Sequence, residues 1–95
     1  MPQNTNKNLV NDSWVELTDE LVSTITFQNI GTSFMLVKAT TGASAPTSLD
    51  GTLRYNPGQG ERAVAVADLF PGITSSTGRL WAYVETAGKA FVSHR

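Results

Sequence analysis

"LRYNPGQGERAVAVADLFPG", residues 53–72, decides how this chain folds. Two glycines, Gly58 and Gly60, share one loop ahead of a run of small apolar residues. A phosphate-cradling loop with a helix behind it would make a nucleotide-binding enzyme. A turn between two strands makes a small β-domain whose work is done by its surface. The residues select the second reading. A Walker loop needs G-x-x-x-x-G-K-[ST], yet Gly60 is followed by Glu61, a carboxylate where phosphates would sit. A dinucleotide fingerprint needs three glycines between strand and helix, whereas "ERAVAVA" alternates as a strand does. Asn56-Pro57-Gly58 has the chemistry of a turn, with Pro57 presetting φ and Gly58 free to take φ > 0.

Outward from this loop the period stays at two. Upstream, "SWVEL" alternates, and "LVSTITFQN" sets Leu21, Ile25 and Phe27 against Thr24, Thr26 and Gln28. "SFMLVKAT" is apolar on both sides until Lys38, and "TTGASAPTSLDG" (40–51) is a loop of turn residues before the short "TLRY". Downstream, Asp68 is placed to cap one helical turn over Asp68-Leu69-Phe70, which Pro71-Gly72 stops. "RLWAYVET" and "KAFVSH" read as a closing hairpin through Ala87-Gly88. The pattern predicts an all-β fold: a small antiparallel β-sandwich, jelly-roll or Ig-like, of about six or seven strands. Residues 1–12 are polar and read as a flexible N-terminal arm, leaving 13–95 as a single β-sandwich domain.

Composition narrows the function. In 95 residues, hydrophobic content is 40%, charged content is 16% and the net charge is −1. The seven basic residues are scattered singly, so nucleic acid is not an expected partner. No apolar run approaches the ~20 residues that span a bilayer, so no membrane partner is expected either. Cysteine is absent, which removes disulfides, thiolate metal sites and Cys nucleophiles. His94, the single histidine, cannot build a common zinc site alone, although carboxylates could complete one; it reads as a terminal surface residue. A Ser93–His94 triad with Asp50 or Asp68 lacks any G-x-S-x-G elbow, and no carboxylate spacing selects a glycosidase pair. Neither an enzyme, a metal nor a cofactor is expected.

The aromatics carry more information. In "RLWAYVE", Leu80, Ala82 and Val84 share one face, while Trp81 and Tyr83 share the other with Arg79 and Glu85. That second face suits a protein interface, and less well a sugar-stacking platform; equally, Trp81 could fill the core. Phe91 in "KAFVSH" has the same ambiguity. Trp81, Tyr83 and Phe91 are therefore the candidate interface residues. Runs apolar on both faces, "FMLVKA" and "AVAVA", add the expectation of a homo-oligomer, because a short chain builds only two layers.

The order "ITFQN-IG", "LVKATTGASAPTSLDGTLRYNPGQG", "DLFPGI" and "RLWAYVETAGKAFVSH" resembles small virion structural proteins of tailed bacteriophages and phage-like particles. The match runs over about residues 14 to 94. The resemblance implies a non-enzymatic protein of the virion, decorating or anchoring on the particle as a head decoration, head fibre or spike base. Its partners would be other capsid or tail proteins, with a surface glycan as a further candidate. The alternative from another class is a carbohydrate-binding β-sandwich module using exposed aromatics.

Overall fold

The structure, a computed structural model, describes residues 3–73 and 76–94. Its strands are β1 (Gln3–Leu9), β2 (Ser13–Glu16), β3 (Thr24–Asn29), β4 (Met35–Thr40), β5 (Leu53–Tyr55), β6 (Gly60–Ala65), β7 (Arg79–Val84) and β8 (Gly88–His94). One short helix, α1 (Val66–Leu69), interrupts them. Two four-stranded antiparallel sheets result, ordered β1-β8-β3-β6 and β2-β7-β4-β5. The first is called sheet A here and the second sheet B. This is the strand order of a jelly roll, and it resolves the jelly-roll-or-Ig expectation.

The core lies between the sheets and is built by alternation. Ile25 and Phe27 of β3, Met35 and Val37 of β4, Leu80, Ala82 and Val84 of β7, and Ala90 and Val92 of β8 all face inward. Tyr55 meets Phe27 edge-on, with ring centroids 5.0 Å apart. The opening loop is a turn: Gln59 N–H donates to Asn56 O (2.9 Å), and Gly58 has φ of 87°. Gly60 then runs so close to β3 that a Cβ there would collide with the backbone carbonyl of Phe27. The second glycine is thus required by strand packing.

Several expectations are corrected. Residues 3–9 are no arm. They form β1, paired along its length with β8 from Gln3↔His94 to Leu9↔Gly88. "RLWAYVET" and "KAFVSH" are no hairpin, since β7 lies in sheet B and β8 in sheet A. Their connection crosses from one sheet to the other, so the apolar faces of both strands meet across the core. Among the described strands, only β4 and β5 are consecutive partners in one sheet. "AVAVA" is not a strand buried on both faces: β6 bulges opposite Ile25–Phe27, Ala63 takes φ of 49°, and Val66 begins α1. Asp68 lies inside that helix; its N-cap is Ala65 and no side chain caps it. Leu21 is exposed outside β3, and Val22 takes the buried place beside Gly78.

Candidate interaction surface

The outer face of sheet B follows from parity. Because Leu80, Ala82 and Val84 point inward, Arg79, Trp81 and Tyr83 point outward, and cross-strand register supplies their neighbours. Trp14 of β2 and Leu36 of β4 flank Tyr83, while Arg54 of β5 flanks Leu36. One continuous row therefore crosses all four strands as Trp14–Tyr83–Leu36–Arg54. In the next row Trp81 lies between Glu16 and Lys38. Beyond it, Arg79 is opposite Thr40.

The two rows differ in accessibility. Trp81 is only 8% exposed. Its indole Nε1–H donates to Thr40 Oγ1 at 2.9 Å. The long side chains of Glu16 and Lys38 stand beside it, and Arg79 Nη1 pairs with Glu16 Oε2 at 2.9 Å. The ring is thereby closed off on an outer face, outside the core. Tyr83 is half-buried against Trp14, with centroids 5.4 Å apart and planes inclined by 58°. Its hydroxyl donates to Asp12 Oδ1 at 3.3 Å. Desolvation, together with the carboxylates of Asp12 and Glu85, holds this phenol above its ordinary pKa. Leu36 and Phe34 are also half-buried, and the Arg54 guanidinium lies 4.1 Å from the Phe34 ring centroid. The first row is an apolar strip with a cationic end, open to contact.

Phe91 belongs elsewhere. It faces outward from sheet A, so the sandwich separates it from Trp81 and Tyr83. Its outer-face neighbours are Asn6 of β1 and Gln28 of β3. It lines an open cleft of about 430 Å³ with Thr26, Gln28, Gly58, Gly60 and Arg62. The candidate residues therefore fall on two surfaces. Sequence reasoning missed Trp14, the partner of Tyr83, although the alternation in "SWVEL" sets Trp14 and Glu16 on one face.

His94 is a second correction. It is 7% exposed, because it shares the inward parity of Ala90 and Val92. Its Nε2 lies 2.8 Å from Gln3 Nε2 and 3.5 Å from Asp19 Oδ1. The carboxylate that the fold sets beside it is thus Asp19, where the triad reading had considered Asp50 and Asp68.

Asn29 also went unmarked. It is buried, donates from Nδ2 to Ser33 O (2.8 Å) and Tyr55 O (2.9 Å), and accepts from Gly31 N–H (3.0 Å). Its backbone grips the opening loop, donating to Gln59 O and accepting from Gly58 N–H. Among the described residues, no buried side-chain nitrogen or oxygen lacks a partner. No protein family, curated protein or solved structure matches this chain.

Proposed function

We propose that this chain is a non-enzymatic structural protein of a bacteriophage virion, decorating or anchoring on the particle through protein–protein contacts. The observation that carries the reading is the Trp14–Tyr83–Leu36–Arg54 row, an aromatic and aliphatic strip that the chain itself leaves open. Aromatic residues and arginine are enriched where interfaces form. The jelly-roll order adds support by fold analogy, since capsid proteins use it. On a particle, many copies of one modest interface add through multivalency.

Contact through a face also suits the sheet edges. Lys7 of β1 shares the inward side with Ala90, so a strand added at that edge would have to cover its ammonium group. The test is sedimentation velocity on the wild type and on Leu36→Lys. The variant is expected to move to the monomer, with circular dichroism and melting temperature preserved. Unchanged association in a folded variant would reject this face as the interface.

A second reading, carbohydrate binding, keeps only part of its platform. Trp81 is closed, leaving Trp14 and Tyr83 as stacking surfaces. Titrating oligosaccharides against tryptophan fluorescence separates the two readings. A saturable shift lost in Trp14→Ala would favour the glycan.

A further inference from the structure

The end of the sandwich where the chain closes brings together residues far apart in sequence. Asp19 and Glu20 lie in the segment that leaves β2 in sheet B for β3 in sheet A, and His94 is the last residue of β8. One ligand atom from each of the three lies within 4.8 Å of the others. The His94 side chain has no exposed surface, and its Nε2 faces Asp19 Oδ1 at 3.5 Å. Asp19 is about one-third exposed, at 34%, so the cluster opens to solvent on its carboxylate side.

We propose that Asp19, Glu20 and His94 form a binding site for a divalent transition-metal ion of the zinc type. One imidazole nitrogen with two carboxylate oxygens is a borderline-soft donor set, better suited to zinc than to magnesium or calcium. Ligand bonds of about 2.0–2.2 Å around a tetrahedral ion put donor atoms about 3.4 Å apart. The 3.5 Å between His94 and Asp19 already has that spacing. Glu20 reaches it by closing from at most 4.8 Å, a movement within the reach of a partly exposed carboxylate. An ion at His94 Nε2 takes over the lone pair that Gln3 now approaches at 2.8 Å.

The placement gives the ion a structural task. It would join the sheet-to-sheet crossing to the end of β8, the strand that holds β1 by pairing. Small domains without disulfides gain from such a staple, and this chain has no cysteine. The position of His94 agrees. It faces inward where Ala90 and Val92 precede it, an apolar lining broken by a metal-binding side chain at the point where the carboxylates converge.

The experiment uses the untagged full chain titrated with zinc chloride, followed by calorimetry and by the NMR signals of the single imidazole. Expected are one ion per chain, displaced His94 ring resonances, and a higher melting temperature that a chelator reverses. Magnesium should leave all three unchanged. His94→Gln and Asp19→Asn should each weaken zinc binding about tenfold or more. Asp19 is on the surface, so its substitution tests the site even if the buried histidine cannot be replaced without unfolding. Absence of stoichiometric zinc binding, or affinity undiminished in folded Asp19→Asn, would overturn the site.

Discussion

At the scale of single residues, three positions do work that their local context conceals. Asn29 spends its amide on two carbonyls and an N–H, tying the loop after β3 to Tyr55 of β5. Asn29→Ala is expected to lose about 2–4 kcal/mol in urea unfolding, because those buried groups keep their desolvation and lose their partner. Gly60→Ala should cost about 3 kcal/mol, since its new methyl would meet the backbone of Phe27 and β3 cannot yield. Tyr55, 7% exposed, donates to Glu61 Oε2 at 3.1 Å. Burial and that carboxylate push its phenol far above the ordinary value of 10.0. Above pH 10 the unfolded chain therefore releases this proton while the folded chain keeps it, and stability falls as pH rises. Below that value this group adds no pH dependence. The slope should reach about 1.4 kcal/mol per pH unit, and Tyr55→Phe should remove that share. Urea midpoints at pH 9, 10 and 11 for both proteins check it.

At the scale of elements, β1 is the sharpest departure from the sequence. "QNTNKNL" offers only Leu9 to the core, so neither hydrophobic period nor propensity marks it as a strand. It is held by backbone pairing to β8, an interaction that leaves no trace in local composition. Deleting residues 2–8 should cost about 3 kcal/mol, lowering the melting temperature by about 15 °C. A flexible arm would come off without effect, so an unchanged melting curve counts against the assignment. By contrast, β3 and β7 were legible because apolar residues alternate with the rest along them, and β4 because it is an apolar run bounded by turn residues. Which strands pair was not legible. The same inward face of β8 suits a hairpin partner or a facing sheet, and only the whole topology distinguishes them. The bulge in β6 escaped notice for a related reason: Ala63 at φ of 49° is a strained choice where glycine would be the easy one. Ala63→Gly should therefore be neutral or stabilising by up to about 1 kcal/mol, read from the urea midpoint.

At the scale of the whole molecule, the jelly roll divides its surface unequally. Sheet A presents Asn, Thr, Gln and Ser around one half-buried Phe91, whereas sheet B presents the aromatic and aliphatic row ending in Arg54. The parity that puts Trp81 and Tyr83 on one face was readable from "RLWAYVE". That Trp81 is covered and Tyr83 is joined by Trp14 was not, because both depend on neighbours from β2 and β4. His94 was misjudged for its position near the chain end, where its inward register outweighs proximity to the terminus. The central claim is that the open face of sheet B holds copies or partners together in an assembly. Its most direct test is the mass of the purified protein by light scattering across a wide concentration range. The account predicts a discrete species several times the 10.2 kDa chain, reduced to the monomer by Leu36→Lys. A 10.2 kDa monomer at every concentration, identical in wild type and variant, would contradict self-assembly through this face.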